Sequence, residues 1–263
     1  MIFRHYKPGP PLAGFIDTIW HYQGCDVPHR MDRILPSGDM GLVINLRDEG
    51  FRVQDENFSG AILCGAYSEF FTIDTAQQSY TMGIHFKPGG AFPFLRMPAG
   101  ELKGRHVDLS DVWGARAGEM RERLLAARSI EERFRIVEAT LLEQMKPRRE
   151  PHPAVAGALH AIGPTHSIAA VTAQIGLGPK RFADVFREEV GLTPKLFFRI
   201  RRFQHALRRM SAGKPIEWAD FALSAGYYDQ PHFIHDFQAF SGLNPSSYAP
   251  RPPLYINHVA LPD

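Results

Sequence analysis

Residues 182–194, FADVFREEVGLTP, decide the fold, because residues 233–245, FIHDFQAFSGLNP, repeat their pattern 51 residues later. Both copies follow the spacing Phe-x3-Phe-x4-Gly-x2-Pro. Two phenylalanines four residues apart lie on one face of a helix, and glycine is common just after a helix end. The repeat therefore predicts two equivalent units, each with an amphipathic helix that ends at a glycine.

A shorter helix is predicted before each copy. In the first unit, Ser167 caps Ile168–Gln174, and the next helix begins near Pro179. In the second unit, Trp218–Ser224 leads into a glycine turn, and the next helix begins near Asp229. Two short helices around such a turn form a helix-turn-helix, whose second helix fits a DNA major groove about 12 Å wide.

Residues Pro194–Ser211 between the copies are predicted to form one rigid connecting helix with an apolar face. Cations occupy much of its remaining surface, which predicts contact with DNA phosphates, although a solvated cationic face is the alternative. The predicted phosphate contacts are Arg199, Arg201, Arg202 and Arg209 on this helix, together with Arg181 and Arg187 on the first recognition helix.

Residues 154–249 resemble the DNA-binding domain of the AraC/XylS family of bacterial transcription regulators. The resemblance rests on FADVFR at 182–187 with GLTP at 191–194, on RRFQHA at 201–206, and on AGYYDQ at 225–230 through NPSSY at 244–248. It implies an all-α domain whose two units contact adjacent major grooves. Residues 1–145 are similar to the effector or dimerisation region of some members, at LPSG (35–38) and GIHFKPGG (83–90), which implies a cupin-like barrel.

The resemblance also implies which side chains face the bases. It places Lys180, Ala183 and Asp184 of the first recognition helix, and Gln230, Pro231, Ile234 and His235 of the second, at groove-facing positions. The predicted base contacts among them are Lys180, Asp184, Gln230, Ile234 and His235. Glutamine can pair with adenine, lysine can donate to guanine, and aspartate can accept from cytosine. Asp184 stands where a long cationic or amide side chain is expected.

The front part of the chain has a different sequence pattern, in which short apolar segments are separated by Gly, Pro, Asp and Ser. Two helices, separated near Ser129, follow these segments. The predicted strands are Ile16–Tyr22, Gly41–Leu46, Ala61–Cys64, Phe70–Asp74 and Tyr80–Phe86.

Short strands of even spacing are typical of a barrel or sandwich. We therefore predict an α+β effector or dimerisation domain at 1–146, built as a cupin-like barrel or sandwich plus two helices. A linker at 147–153, an all-α double helix-turn-helix domain at 154–250 and a C-terminal tail at 251–263 are predicted to follow.

Aromatic residues are frequent in the predicted strands, and most are expected in the core. Trp20, Tyr22 and His85 are the candidates for lining a small effector pocket. A His-x-His motif followed by a carboxylate is absent, so the sequence predicts no metal site and no cofactor. It also contains neither a nucleophile elbow nor a phosphate loop, which argues against an enzyme.

Charge and hydropathy exclude further classes. The formal net charge is +2, and the two cysteines form neither a disulfide framework nor a zinc motif. No run approaches the roughly 18 apolar residues of a membrane span, and no secretory signal is visible. We therefore expect a cytoplasmic protein with no membrane partner.

These observations predict a transcription regulator that binds a double-stranded DNA operator and is gated by a small-molecule effector in its front domain. RNA polymerase and a second copy of the chain are further expected partners. Two alternatives stay open: a ligand-independent DNA-binding protein whose front domain only dimerises, and a barrel enzyme fused to a DNA-binding domain.

Overall fold

The computed structural model describes residues 1–24, 29–47, 50–54, 56–146, 151–161, 176–212, 216–249 and 256–261. A β-rich front part is followed by a helical rear part. The strands are β1 (Ile2–Tyr6), β2 (Ile16–Gln23), β3 (Met31–Ile34), β4 (Gly41–Asn45), β5 (Phe51–Val53), β6 (Glu56–Phe58), β7 (Ala61–Cys64), β8 (Phe71–Asp74), β9 (Tyr80–Phe86), β10 (His106–Asp108) and β11 (His258–Ala260). The helices are α1 (Leu109–Trp113), α2 (Ala115–Ala126), α3 (Ile130–Gln144), α4 (Pro153–Ala161), α5 (Pro179–Val190), α6 (Pro194–Met210), α7 (Trp218–Ser224) and α8 (Gln230–Ser241).

The described strands form two antiparallel sheets and a hairpin. The larger sheet has the order β1-β2-β9-β4-β7-β10, the smaller sheet has the order β11-β3-β8, and β5 pairs with β6. The predicted α+β class is therefore confirmed, but the sheets do not close into a barrel, because β1 and β10 remain at the two edges of the larger one.

One face of the larger sheet packs against the helices, and the other face packs against the smaller sheet. Ile19 of β2, Leu42 of β4, and Met82 and Ile84 of β9 are fully buried on the first face. Burying each such side chain contributes roughly 1.5 to 3 kcal/mol. Since side chains alternate along a strand, Trp20 and Tyr22 lie on the opposite face.

Within the described residues, three helices follow β10 at the end of the front part, rather than the predicted two. The Ser129 hydroxyl accepts a hydrogen bond from the backbone N–H of Glu132 at 3.1 Å, so the predicted cap of α3 is confirmed. The unpredicted helix is α1, whose five residues are too few to show a helical period. Its cap is Asp108, whose carboxylate accepts from the backbone N–H of Ser110.

Both front segments that carried the family resemblance lie against the rear part. We call Leu35–Asp39 the docking segment. Gly38 has φ +80°, and a β-carbon there would lie 3.3 Å from both Phe197 and Ile200 of α6. Gly89, with φ +71°, similarly faces Leu159 of α4. These glycines therefore combine a left-handed turn with a close approach of the two parts of the chain.

One continuous apolar core runs through both parts, so packing does not stop at the linker. It includes Leu42 and Met82 from the sheet together with Phe186, Phe197 and Phe237 from the rear helices. The boundary at 147–153 stays a prediction, and residues 147–150 of it lie outside the described ranges.

The predicted C-terminal tail returns to the front part of the chain. Its residues His258–Ala260 form β11, which pairs antiparallel with β3. Among the helices of the described residues, none is both long and apolar enough to span a bilayer.

Candidate nucleic-acid interface

The first predicted recognition helix is α5. It begins at Pro179 and ends at Gly191, which has φ +92° and serves as a left-handed cap. Phe182 and Phe186 are buried, and their rings meet edge to face with centroids 5.6 Å apart. These two phenylalanines hold the helix in the core and are not available to bases. The preceding helix predicted at Ile168–Gln174, with its Ser167 cap, lies outside the described residues.

The outer face of α5 carries the predicted contacts of the first unit. Lys180 and Arg181 are exposed. Asp184 and Arg187 form an ion pair with an N–O distance of 3.2 Å, and both side chains are about half exposed. This pairing satisfies the Asp184 carboxylate locally, so a free cationic charge on α5 comes mainly from Lys180 and Arg181.

The second unit has the predicted helix-turn-helix form throughout. Helix α7 ends at Ala225, and Gly226 has φ +88° in the turn. The Asp229 carboxylate accepts a hydrogen bond from the backbone N–H of His232 at 2.8 Å and caps α8. Phe233 and Phe237 are fully buried, and Phe233 stacks on Trp218 with centroids 6.0 Å apart.

The exposed face of α8 is centred on Pro231, His235 and Gln238. The His235 side chain is 78% exposed, so it can reach a groove without any rearrangement of the helix. Gln230 and Ile234 are partly buried and lie at one border of this face. Of the three predicted base contacts on α8, His235 is therefore the best placed.

The four predicted phosphate contacts of α6 have protein partners in this structure. Arg199 pairs with the buried carboxylate of Asp236 at 2.6 Å, and Arg201 pairs with Asp39 of the docking segment at 3.4 Å. Arg202 donates to the Gly226 carbonyl at 2.9 Å, and Arg209 donates to the Ser224 hydroxyl at 2.8 Å. Contact of these four side chains with phosphate thus stays a prediction.

Arg202 and Arg209 also lie over aromatic rings of the second unit. The Arg202 guanidinium is 4.9 Å from the Tyr227 ring centre, and the Arg209 guanidinium is 4.9 Å from that of Phe221. Such cation–π contacts contribute about 0.5 to 1 kcal/mol each at exposed sites. The cationic stripe of α6 therefore also stabilises the turn and the first helix of this unit.

Tyr228 was not predicted as a functional residue, although it is 85% exposed in the turn directly before α8. The Tyr227-Tyr228 pair is the signal that could have indicated it, because Tyr227 is buried in the unit and leaves Tyr228 outside. Gln238 was not predicted either, and it lies one helical turn beyond His235 on the exposed face.

The structure brings together two of the three residues predicted for an effector pocket. The rings of Trp20 and His85 lie on one face of neighbouring strands with centroids 6.0 Å apart. Gly83 lies directly opposite Trp20, and a β-carbon at Gly83 would collide with the indole. Tyr22 shares the face but contacts Phe3, at 6.5 Å between ring centres.

Two further polar features concern this sheet. Trp20 Nε1 is buried and has no hydrogen-bond partner among the described residues. On the opposite face, burial and then the charge of Arg133 lower the pKa of His21 to about 4. In the described part of the chain, no group of three or more His, Cys, Asp or Glu side chains is arranged to hold a metal ion.

Two family models match the sequence. Residues 171–251 match a family described as a helix-turn-helix domain. This match assigns residues 171–251 to an AraC-type helix-turn-helix domain. Residues 4–108 match a family described as a domain of unknown function, DUF6597. A search of the curated proteins found no match to this sequence.

Among solved structures, this chain is similar to ToxT from Vibrio cholerae at low identity. One ToxT structure, in a P21 crystal form, is 11% identical with a TM-score of 0.40, covering 94% of this chain and 97% of that one. A second, bound to (E)-4-(8-methylnaphthalen-1-yl)but-3-enoic acid, is 11% identical with a TM-score of 0.41 and the same coverage. A third, with unsaturated fatty acid bound, is 10% identical with a TM-score of 0.39, covering 97% of this chain and 94% of that one.

Proposed function

We propose that this protein is a sequence-specific transcription regulator that reads an operator through α5 and α8. The observation that carries the proposal is the repeated unit itself. Each recognition helix buries its phenylalanine pair and turns a polar face outward, with Lys180 and Arg181 on α5 and His235 on α8. The match of residues 171–251 to a helix-turn-helix family supports DNA as the partner.

Selection of binding sites from a randomised duplex pool tests the proposal directly. We expect enrichment of a site with two half-sites about one helical turn, or 34 Å, apart, because α6 fixes the spacing of the two units. The double substitution Lys180→Ala and His235→Ala should abolish enrichment, whereas Ser246→Ala, at an exposed position outside the recognition helices, should not. If the selection recovers no preferred sequence, the proposal that the protein reads bases is wrong.

We also propose that the front domain binds a small effector at the face that carries Trp20 and His85. The supporting observation is the buried, unpaired Nε1–H of Trp20, because an unsatisfied buried donor costs about 1 to 3 kcal/mol and a ligand acceptor would remove that cost. A ligand with an acceptor group beside an apolar body fits this chemistry.

A thermal-shift screen separates this proposal from a front domain that only dimerises. A true effector should raise the unfolding temperature of the wild type and should lose that effect in Trp20→Phe, which keeps an aromatic ring and lacks the donor. An effector that stabilises both forms equally would place its site elsewhere. Turnover of a screened compound would instead favour the enzyme alternative.

A further inference from the structure

The C-terminal strand crosses back to the front part after the second helix-turn-helix unit is complete. In β11, His258 lies opposite Ile34, Val259 opposite Arg33 and Ala260 opposite Asp32. The backbone N–H of Leu35 also donates to the carbonyl of Asn257 at 2.8 Å. Since β11 takes the outer place in the smaller sheet, it covers an edge of β3 that would otherwise be open.

Side chains reinforce this pairing from inside the sheet. Asp32 is only 8% exposed and lies between two histidines, with 2.8 Å from its Oδ1 to His29 Nε2 and 3.2 Å from its Oδ2 to His258 Nδ1. A buried carboxylate is costly without such partners. Formation of β11 therefore brings His258 to the buried Asp32 carboxylate and supplies one of its hydrogen-bond partners.

The same strand β3 also contacts the end of the second recognition helix. The Arg33 guanidinium donates to the Ser241 carbonyl at 2.7 Å, at the C-terminus of α8, and lies 4.2 Å from the Phe70 ring centre. A cation at a helix C-terminus interacts favourably with the exposed carbonyls and the helix dipole. Helix α8 is thus attached to the front part at its last turn.

The docking segment also holds the connecting helix α6. The Gln204 side chain donates to the Pro36 carbonyl and to Asn257 Oδ1, each at 2.8 Å, so it joins front segment, connecting helix and C-terminal segment. Asp39 pairs with Arg201, which is a predicted phosphate contact. A carboxylate in this place competes with a phosphate for the same guanidinium.

We propose that residues 256–261 are a strap that holds the second helix-turn-helix unit on the front domain and thereby restrains α8 and withholds Arg201 from DNA. The strap rests on the proposed function, since it regulates that same interface. Its release detaches the end of α8 from the front part and gives Arg201 to a phosphate. The strap therefore lowers the affinity of the intact chain for its operator.

A reversible cross-link tests the strap within one molecule. Ile34→Cys with His258→Cys places two cysteines at directly opposite positions, a spacing suited to a disulfide, in a chain that also carries Cys25→Ser and Cys64→Ala. We expect the oxidised form to bind the selected operator at least fivefold more weakly than the same sample after reduction. Equal affinity of the two forms, in a chain that binds DNA, would overturn the strap.

A variant that disrupts the pairing of β11 tests the strap in the opposite direction from the cross-link. Val259→Pro removes the backbone N–H of the central residue of β11, while Val259→Thr keeps both the N–H and the β-branched shape. We expect Val259→Pro to accelerate hydrogen exchange at the Leu35 amide at least tenfold and to tighten operator binding at least threefold, with Val259→Thr close to wild type. Faster exchange without tighter binding would remove the regulatory role.

The two proposals fail in different ways. If no form of the chain enriches a duplex sequence, the proposed function is wrong and the regulatory role falls with it. If the chain binds its operator and either the disulfide or Val259→Pro leaves the affinity unchanged, only the strap is wrong. If the Leu35 amide exchanges at the same rate in Val259→Pro, β11 does not hold β3 and the strap is likewise excluded.

Discussion

The Arg199 guanidinium lies 2.6 Å from the Asp236 carboxylate, and this pair joins the connecting helix to the middle of the second recognition helix. The Asp236 side chain is only 2% exposed, whereas that of Arg199 is 30% exposed. His232 and His235 lie 3.8 Å from the same carboxylate. This ion pair therefore helps to orient α8 on α6, together with the packing of Phe203 against Phe237 and Phe240.

Arg199→Ala should destabilise the rear part, because it leaves the Asp236 carboxylate buried without its closest charge partner. Removing one member of a buried ion pair typically costs about 3 to 5 kcal/mol. Urea denaturation of the intact protein measures this loss. Arg199→Lys keeps the charge and should lose less, and an unchanged unfolding free energy in Arg199→Ala would show that solvent already compensates Asp236.

Asp39 of the docking segment predicts a dependence of stability on pH. Burial raises the pKa of Asp39 to about 6, while Arg201 and Arg208 oppose that rise and Asp17 adds to it. Because the pKa in the folded protein lies above the usual value of about 3.8, the contribution of Asp39 is fully present below pH 3.8 and is lost as the pH rises through 6.

Asp39→Asn should therefore raise the unfolding free energy at pH 8 by about 1 to 3 kcal/mol, since each unit of pKa shift corresponds to about 1.4 kcal/mol. The gain should shrink at pH 5, where the wild-type carboxyl is largely protonated. Thermal unfolding at the two pH values measures it, with the exposed Asp111→Asn as control. A gain of the same size at both pH values would contradict the assignment.

His21 predicts a loss of stability in acid. It is fully buried, and burial together with the charge of Arg133 lowers its pKa to about 4. Since the pKa in the folded protein is below the usual 6.5, neutral His21 stabilises the fold above pH 6.5, and this contribution is lost as the pH falls toward 4.

His21→Gln, which cannot titrate, should therefore make the unfolding free energy less sensitive to pH in that window, by about 1 to 3 kcal/mol. Denaturant melts at pH 7 and pH 4.5 provide the comparison, and the exposed His5→Gln should behave as the wild type does. If His21→Gln and the wild type lose stability in parallel, the acid sensitivity has another source, for which His106, with a pKa lowered to about 4 by burial, is the next candidate.

The sequence predicts elements well where turn residues bound an apolar segment. Ala61–Cys64 and Tyr80–Phe86 are found with their predicted limits, and the cap at Ser129 is found as predicted. Strands β3 and β11 were missed because MDRI and HVA are short and contain charged or weakly apolar residues. Their pairing joins residues more than 220 positions apart, which no local pattern contains.

The candidate site likewise combines features set by local sequence with features set by residues far apart in the chain. Periodicity places cations on α6, because spacing along one helix is a local property. The carboxylates that pair with them are not local: Asp236 is 37 residues from Arg199, and Asp39 is 162 residues from Arg201. Whether a cation is available to phosphate depends on those distant partners. The sequence could therefore predict where the cations lie on α6, but not whether a carboxylate of the protein already pairs with them.

On α8, the residue expected to read the operator is His235. His235 is at the centre of the exposed face, whereas Gln230 is partly buried at its border. His235→Ala should cost about 1 to 3 kcal/mol on the selected operator and relax the preference at one base pair, and Gln230→Ala should have the smaller effect.

Arg181→Ala is the matched control for a backbone contact, since Arg181 is exposed on α5. It should weaken specific and non-specific duplexes alike and make the slope of log K against log salt shallower by about 0.9, the contribution of one neutralised phosphate. Competition binding on operators randomised one position at a time measures both properties. If His235→Ala and Arg181→Ala shift every sequence equally, His235 contacts the backbone, and the base contacts of the second unit must come from the border of α8 or from Tyr228 in the turn before it.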